Sequence, residues 1–330
     1  MALPSRRIGP FAVSAIGLGC MSLSHAYGTP PAEADAEAVL LRAIERGVTL
    51  FDTAALYGFG ANESLLGRVL RPHRERVVLA SKGGMTGIDG KRVIDGRPAS
   101  LLRDCDDSLR RLGTDRIDLY YLHRWDRRVP IEDSVGALSR LVERGKVRAI
   151  GLSEVSAATL RKAHAVHPVA AVQTEYSLWT RNPEIALLAA CRELGSALVA
   201  FSPLGRGMLT AALRDAGALV QGDIRRGMPR FQQANFAANL ALVDALADLA
   251  ARAGCTPGQL ALAWLLAQGE DIVPIPGTTR VAHLDANVAA AGASPDSALL
   301  EEAGRLVGQH SVSGGRYPDA TQAEIDTERF

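Results

Sequence analysis

The stretch VTLFDTAALYGFGANESLLGRVL, residues 48–70, contains one complete unit of the predicted fold. A short apolar run ends at Asp52, a polar loop follows, and a segment with helical spacing begins at Asn62. Seven more apolar runs of this kind occur along the chain, at residues 13–19, 77–82, 117–123, 147–153, 169–176, 197–203 and 272–277. Their nearly continuous apolarity is typical of parallel strands that helices cover on the outside.

Helical segments separate these runs. PAEADAEAVLLRAIERG ends at Gly47, and PIEDSVGALSRLVERG begins at Pro130 and ends at Gly145. Because strand and helix alternate in eight units, the sequence predicts an α/β fold and favours a (β/α)₈ TIM barrel over an open sheet. The turn residues in RRIGPFAVS predict an N-terminal β-hairpin, which we expect within residues 1–12.

We expect residues 1–330 to form a single domain, because no linker or break in composition divides the chain. Two segments exceed the strand and helix repeat. Residues 204–238, rich in Gly and Arg, predict a long loop after the seventh strand, and loops of that length are usually functional. Residues 309–330 are polar and predict a C-terminal loop or tail.

The composition narrows the classes of partner. The 37 Lys and Arg residues nearly balance the 36 Asp and Glu residues, so we expect a small-molecule ligand and neither a nucleic-acid nor a membrane partner. The four cysteines form no CxxC pair, which argues against a disulfide framework and a zinc site and favours the cytoplasm. The pair His164 and His167 lacks an acidic partner, so we expect no metal. The longest apolar run, residues 260–267, is too short to span a bilayer. The oligomeric state stays open.

Four reactive side chains lie where three successive strands end. These are Asp52 with the nearby Tyr57, Lys82, and His123. In parallel α/β folds this edge of the sheet carries the active site. A tyrosine with a pKa near 10 is a weak acid, but an adjacent Lys82 ammonium held by Asp52 would lower that pKa, and His123 could orient a substrate oxygen.

Such a set protonates an oxygen on which negative charge develops, as in carbonyl reduction by hydride. Since no side chain supplies hydride, a nicotinamide or flavin cofactor is required. A Rossmann domain is not indicated, because IGLGCMS lacks the third glycine of that motif. Phosphate-binding features occur late in the chain, in SPLGRG from Ser202 and in PGTTR, where Arg280 precedes a predicted helix.

Two other functions remain open. Lys82 could form a Schiff base with a carbonyl substrate, as in an aldolase, although Asp52 would hold that lysine in its charged form. The protein could instead be a sensor that binds this cofactor and turns it over only incidentally. For Tyr27 and Trp125, a surface position and a place in the substrate-pocket wall are equally compatible with the sequence.

The blocks IGLGCM, FDTAALYGFGANESLLG, LASK, YLHRWD, GKVRAIGLSE, VQTEYSLW, FSPLGRGML and IPGTTRVAHLDAN occur in this order. In these blocks the chain resembles the aldo-keto reductase superfamily, and most closely its microbial and plant branch with pyridoxal and perakine-type reductases. The resemblance implies a barrel that binds NADPH or NADP⁺ and reduces a small aldehyde or ketone. Tyr57 would be the general acid, Lys82 and Asp52 its partners, and His123 the residue that positions the carbonyl.

The same resemblance implies a set of residues for each part of the cofactor and for the substrate. Ser153 and Gln173 would hold the carboxamide, Tyr176 would stack on the nicotinamide, and Gly19, Met21 and Asp52 would line the floor beside it. The pyrophosphate would contact Ser202, Leu204, Gly205, Arg206 and Gly207, and the adenosine with its 2′-phosphate would contact Gly277, Thr279, Arg280, His283 and Asn287. The substrate pocket would include Tyr27, Tyr57, His123 and Trp125.

Three positions depart from the family pattern. Glu154 stands where many relatives have an asparagine beside the carboxamide, and Ala286 stands where a glutamate commonly meets the adenine. The loss of that glutamate predicts a weaker adenine contact. Trp125 is larger than the residue in many relatives, so we expect it to narrow the substrate pocket.

Overall fold

The computed structural model describes residues 3–88, 90–293 and 295–330. The strands in these ranges are β1 Ser5–Ile8, β2 Phe11–Ser14, β3 Leu18–Gly19, β4 Leu50–Asp52, β5 Val78–Gly83, β6 Met85–Ile88, β7 Lys91–Ile94, β8 Ile117–Leu122, β9 Val147–Ser153, β10 Val169–Glu175, β11 Ala197–Phe201 and β12 Ile272–Pro274. The helices are α1 Glu33–Glu45, α2 Ala61–Leu70, α3 Pro98–Leu112, α4 Ile131–Glu143, α5 Ala157–Val166, α6 Leu187–Leu194, α7 Gln233–Arg252, α8 Pro257–Ala267, α9 Val281–Ala289, α10 Ser297–Leu306 and α11 Asp319–Gln322.

Eight parallel strands form the barrel, in the order β3, β4, β5, β8, β9, β10, β11 and β12. The sheet closes where the last strand meets the first, because the amide of Gly17 donates to the carbonyl of Pro274 at 3.0 Å. A parallel bridge between Gly19 and Gly277 continues this seam towards the carboxyl ends of the strands. The predicted (β/α)₈ barrel is therefore confirmed.

Side chains of each barrel strand alternate between the interior and the helical layer. The interior cluster contains Leu50 of β4, Ala80 of β5, Leu119 of β8 and Val199 of β11, among others. The intervening residues join the larger cluster between strands and helices. This alternation decides which residue at the end of each strand faces the mouth of the barrel.

The predicted N-terminal hairpin is confirmed, with β1 and β2 antiparallel and Gly9 in the turn at φ 51°. Ile8, Phe11 and Val13 join the interior cluster and so close the barrel end opposite the active-site edge. The hairpin extends to residue 14, two residues beyond its predicted end at 12, and the first barrel strand begins only at residue 18. Residues 1 and 2 of the predicted hairpin lie outside the described residues.

Two connections differ from their predicted form. A second antiparallel hairpin, β6 with β7, follows β5 and was not predicted. The long loop after β11 contains several short 3₁₀ turns and ends at residue 232, since α7 begins at Gln233. The predicted boundary at residue 238 therefore fell inside the helix.

The C-terminal residues 309–330 are mostly irregular, as predicted, but they are more than a polar tail. They include the short helix α11 and three buried side chains, Arg316, Tyr317 and Ile325, which are 7%, 9% and 2% exposed. The amide of Asp326 donates to the carbonyl of Glu154 at 3.0 Å, so the segment is fastened to the loop after β9.

Helix α7 has 20 residues and is long and apolar enough, by length and composition, to cross a membrane. Its buried side chains, which include Phe236, Val243 and Leu246, belong to the core between the helices and the barrel. Its Asp244 forms an ion pair with Arg214 at 2.7 Å. Since core helices pass the same test, α7 gives only weak evidence for a membrane segment.

The seam between the first and last strands predicts a stability effect. A Cβ atom at Gly19 would lie 2.7 Å from the carbonyl oxygen of Ile275. We expect Gly19→Ala to lower the free energy of unfolding by about 1–3 kcal/mol, measured by urea denaturation. The control is Gly136→Ala in α4, where the new Cβ meets no atom within 4 Å and helix propensity favours alanine. Equal stability of the two variants would show that the seam tolerates a side chain.

Candidate active site

The last inward-facing residues of the eight strands form the floor of one large cavity. These residues are Gly19, Asp52, Lys82, His123, Ser153, Gln173, Phe201 and Ile275, and all except the fully buried Lys82 line the cavity. The cavity has a volume of about 1050 Å³ and lies at the carboxyl ends of the barrel strands. The three predicted residues on strands, Asp52, Lys82 and His123, are therefore neighbours on this floor.

The ammonium group of Lys82 donates three hydrogen bonds within the protein. Its Nζ donates to Oδ1 of Asp52 at 2.5 Å, to the carbonyl of Thr53 at 2.9 Å and to Oη of Tyr57 at 3.2 Å. Burial lowers the pKa of Lys82, but Asp52 and Tyr57 together raise it above its ordinary value. The lysine thus carries its charge at neutral pH.

Asp52 accepts hydrogen bonds on both oxygens, from Lys82 and from Nε2 of Gln173 at 2.7 Å. The carboxyl group is 2% exposed. Burial raises its pKa, and the ammonium of Lys82 and the amide of Gln173 oppose this shift without reversing it. The two donors fix the orientation of the carboxylate, which in turn fixes Lys82.

Tyr57 lies on a 3₁₀ turn directly after β4, and Gly58 follows it with a positive φ of 56°. Its ring stacks on His25, with centroids 6.4 Å apart, and meets His123 edge-on at 5.8 Å. Burial raises the pKa of Tyr57 more than the Lys82 ammonium lowers it, so the expected net decrease in this pKa is wrong. Because Lys82 donates to the phenol oxygen, the phenolic proton remains free for another acceptor.

His123 follows β8 and is held by its backbone amide, which donates to the carbonyl of Gly83 at 2.9 Å. Its buried Nδ1 atom has no hydrogen-bond partner among the described residues. Burial, followed by the charges of Arg124 and Lys82, places its pKa well below the ordinary value. The imidazole is therefore neutral and can still accept or donate one hydrogen bond.

Most of the residues predicted for the cofactor line this cavity: Gly19, Met21, Asp52, Ser153, Gln173, Ser202, Leu204, Arg206, Gly207, Gly277, Thr279, Arg280, His283 and Asn287. Gly205 does not, since its Cα faces the indole of Trp179, and a Cβ there would lie 3.2 Å from that ring. Its φ of 56° lies in the left-handed region that favours glycine, so Gly205 allows the backbone to turn at this point of the loop.

Tyr176 is also absent from the cavity. The side chain is fully buried, its hydroxyl donates to Glu184 at 2.7 Å, and its ring meets Trp264 of α8 edge-on at 5.8 Å. The alternation along β10 explains this, because Gln173 faces the interior and residue 176 therefore faces the helices. The predicted stacking on a nicotinamide by Tyr176 is wrong for this geometry.

Phe201 is the aromatic residue that the sequence analysis missed. It is the last residue of β11, shares the inward parity of Val199, packs against the interior cluster and lines the cavity. Strand parity was the signal that could have identified it, since residues 197, 199 and 201 share one face.

Not all of the predicted substrate-pocket residues line the cavity. Tyr27 lines the cavity together with Tyr57 and His123. Trp125 does not line it, because its Nε1 donates to the carbonyl of Val129 at 2.9 Å and its ring packs against the outer core. The expectation that Trp125 narrows the pocket is therefore wrong.

The two other positions that depart from the family pattern, Ala286 and Glu154, lie on different sides of the cavity wall. Ala286 lines the cavity, near the predicted adenosine end. Glu154 faces away from it, as the residue after the inward-facing Ser153. Its carboxylate accepts two hydrogen bonds from Arg316 at 3.0 Å each and one from the hydroxyl of Thr174 at 2.8 Å.

A buried charge cluster surrounds Glu154 and connects the cavity wall to the C-terminal segment. We define it as Glu154, Glu175, Arg206, Arg230 and Arg316. Arg206 donates to Glu175 at 3.2 Å and to the hydroxyl of Tyr317 at 2.9 Å, so it is bound to the protein although it lines the cavity. Burial raises the pKa of Glu175, but Arg316, Arg206 and Arg230 outweigh burial and lower it to about 2.

No group of three or more His, Cys, Asp and Glu side chains in residues 3–88, 90–293 and 295–330 is arranged to hold a metal ion.

Comparisons with known proteins identify relatives of the chain in sequence and in fold. The sequence profile of the aldo/keto reductase family matches residues 15–297. The aldo-keto reductase yakc of Schizosaccharomyces pombe, whose name includes NADP(+), is 45% identical over 98% of this chain and 97% of its own. The glycerol dehydrogenase of Gluconobacter oxydans superposes with a TM-score of 0.85 at 28% identity, covering 96% of this chain and 99% of that one. An aldo-keto reductase from Klebsiella pneumoniae, solved in complex with NADPH, has a TM-score of 0.73 at 27% identity over 95% and 99%.

The charge cluster predicts how stability depends on pH. Because the pKa of Glu175 is about 2 in the folded state and 4.5 ordinarily, its contribution is fully present above pH 4.5 and is lost as the pH falls towards 2. We expect Glu175→Gln to destabilise the protein by about 3 kcal/mol near neutrality, and by less at each lower pH, in urea denaturation.

Glu193→Gln is the matched control, since Glu193 pairs with Arg161 on the surface at 2.5 Å. We expect little change in stability from it at any pH. A gap between wild type and Glu175→Gln that is as wide in acid as at neutral pH would contradict the assigned pKa.

Proposed function

The chain belongs to the aldo/keto reductase family, and we propose that it reduces an aldehyde or a ketone to the alcohol with NADPH, using Tyr57 as the proton donor. One observation carries the proposal. At the floor of the cavity, the charged Lys82 donates a hydrogen bond to the phenol oxygen of Tyr57 at 3.2 Å and leaves the phenolic proton available. Such an arrangement stabilises negative charge on the phenol as that proton leaves.

The residues around the cavity fit NADPH. Cavity-lining side chains suited to a phosphate, Arg280 and His283, lie at the beginning of α9. At the closing seam, Gly19 and Gly277 leave the floor without side chains, so a flat ring can approach the strand ends. Relatives named for NADP(+) or solved with NADPH support the same choice of cofactor. When bound, NADPH supplies the hydride from C4 of its nicotinamide.

Residues around the cavity would bind the separate parts of the cofactor. Ser153 and Gln173, both inward-facing at the ends of their strands, would hold the carboxamide of the cofactor. Phe201 takes the stacking role first assigned to Tyr176, because it is the aromatic residue at the end of β11 that faces the cavity. Arg280, His283 and Asn287 would bind the 2′-phosphate and adenosine.

The proton is held at the hydroxyl of Tyr57 until the substrate oxygen gains charge. Lys82 stabilises the resulting phenolate, and Asp52 keeps Lys82 in place and charged. His123 is neutral and close enough to Tyr57 to hydrogen-bond the same oxygen and fix its position. Together these groups act on one oxygen atom, which is what carbonyl reduction requires.

The aldolase alternative fits the geometry less well. A Schiff base requires a neutral, nucleophilic amine, whereas Lys82 has a raised pKa and uses all three of its donors within the protein. No observation favours a sensor over an enzyme.

Other expectations accompany this function as proposals. We propose that residues 1–330 act as one domain, with the loop after β11 covering the cofactor, and that the protein works on a small carbonyl compound in the cytoplasm. The assignment to the branch with pyridoxal and perakine-type reductases stays a prediction.

Tyr57→Phe tests the proton donor. We expect it to lower kcat for an activated aldehyde by about 10²- to 10⁴-fold, since general acid catalysis is lost, while NADPH binding is retained. Loss of NADPH absorbance measures turnover, and fluorescence titration measures binding. The control is Tyr121→Phe, because the Tyr121 hydroxyl has no hydrogen-bond partner in the described part of the chain and its ring lies 5.9 Å from Lys82 Nζ. Near wild-type turnover by Tyr57→Phe would refute the assigned role.

Phe201→Ala tests the stacking residue. Loss of an aromatic contact should raise the Kd for NADPH about 5- to 10-fold, as measured by the same titration. Tyr176→Phe, which removes only the hydroxyl bonded to Glu184, should leave that Kd unchanged. An unchanged Kd for NADPH in Phe201→Ala would contradict the stacking role of Phe201.

A further inference from the structure

The arginines that line the cavity differ in whether a carboxylate neutralises them. They are Arg92, Arg124, Arg206, Arg225 and Arg280. Arg92 pairs with Glu324 at 2.6 Å, Arg225 with Asp223 at 2.6 Å, and Arg206 with Glu175 at 3.2 Å. Within the described residues, Arg124 and Arg280 form no ion pair. Arg280 lies at the end proposed for the 2′-phosphate, which leaves Arg124 unexplained.

Arg124 lies beside the reacting groups. It directly follows His123, and its charge is felt by His123 and by Tyr57, whose pKa values it helps to lower. It is half-buried and is one of the residues that line the cavity. Arg124 is therefore at the end of the cavity where the carbonyl substrate has to bind.

One nitrogen of Arg124 anchors the side chain. Nη1 donates to the carbonyl of His123 at 2.7 Å and to the hydroxyl of Ser153 at 3.1 Å. Nε and Nη2 have no hydrogen bond to any residue that the structure describes. These two nitrogens form one edge of the planar guanidinium, the edge that binds a carboxylate through two parallel hydrogen bonds.

Nearby acidic groups do not neutralise this charge. Glu154 is close enough to feel Arg124, but both of its oxygens are bonded to Arg316. The one acidic residue among the described cavity-lining residues is Asp52, which is paired with Lys82. An anionic group beside Arg124 would thus meet a free cation and no uncompensated carboxylate.

We propose that the carbonyl substrate carries a carboxylate at a second position, and that Arg124 binds this carboxylate through Nε and Nη2. The inference rests on the proposed carbonyl reduction and adds the class of substrate. A single guanidinium suits a singly charged carboxylate, whereas a phosphate dianion would call for a second free cation, and Glu324 already occupies Arg92. Arg124 is thus the residue that selects among carbonyl compounds.

The test compares 4-carboxybenzaldehyde with 4-nitrobenzaldehyde, which have planar substituents of similar size but differ in charge. We expect Arg124→Gln to lower kcat/KM for the carboxylate substrate about 10- to 100-fold more than for the nitro substrate, mainly through KM. Arg124→Lys, which keeps the charge without the planar fork, should lose an intermediate amount. Arg144→Gln removes one positive charge from an exposed position outside the cavity and should leave the ratio of the two substrates unchanged.

The outcomes separate this inference from the proposed function. If wild type oxidises NADPH with neither aldehyde, the proposed function fails. If wild type reduces the nitro compound but Arg124→Gln lowers both substrates equally, Arg124 only supports His123 and Ser153, and the inference is overturned. Folding is checked by the Kd for NADPH, which we expect to stay within about threefold of wild type because Arg280 and Phe201 are untouched. A variant that binds NADPH normally and keeps the wild-type substrate ratio also overturns the inference.

Discussion

The active-site end of the barrel depends on one buried ion pair, in which Lys82 donates to Asp52 at 2.5 Å. Two charges withdrawn from water are tolerated only when their remaining donors and acceptors are also satisfied. Gln173 donates a hydrogen bond to the second oxygen of the Asp52 carboxylate. The carbonyl of Thr53 and the phenol oxygen of Tyr57 accept the other two hydrogen bonds of the Lys82 ammonium. The need to satisfy this pair therefore fixes the loop after β4, and with it the position of the phenol.

The sequence was sufficient to predict the barrel and the residues of this pair, because each lies at the end of an apolar run and strand ends meet at one edge. The correct residue at each strand end follows from a finer rule, the alternation of sides. In β10 and β11, this alternation places Gln173 and Phe201 at the cavity and Tyr176 on the side of the helices. The family resemblance assigned the stacking role to Tyr176, whereas strand alternation identifies Phe201 as the aromatic residue of these two strands that lines the cavity.

Other features could not be predicted from the sequence, because they depend on contacts between distant segments. The polar C-terminal residues look like a tail in the sequence, yet Arg316 packs against Glu154 and Glu175 more than 140 residues earlier. The sequence also does not show whether burial or a nearby charge has the larger effect on a pKa. Lys82 was expected to lower the pKa of Tyr57, but burial of the phenol raises it by more. Similarly, the hydrogen bond from Trp125 to the carbonyl of Val129, and the absence of Trp125 from the described cavity lining, could not be read from the sequence.

We propose that the Asp52 and Lys82 pair makes Tyr57 an effective acid. The single-turnover rate of hydride transfer in the double variant Asp52→Asn with Lys82→Met tests this, because the variant removes both charges together and so avoids an unpaired buried charge. We expect the double variant to fold and to bind NADPH but to transfer hydride at least about 100-fold more slowly than wild type. A folded, NADPH-bound double variant with a rate near that of wild type would contradict it.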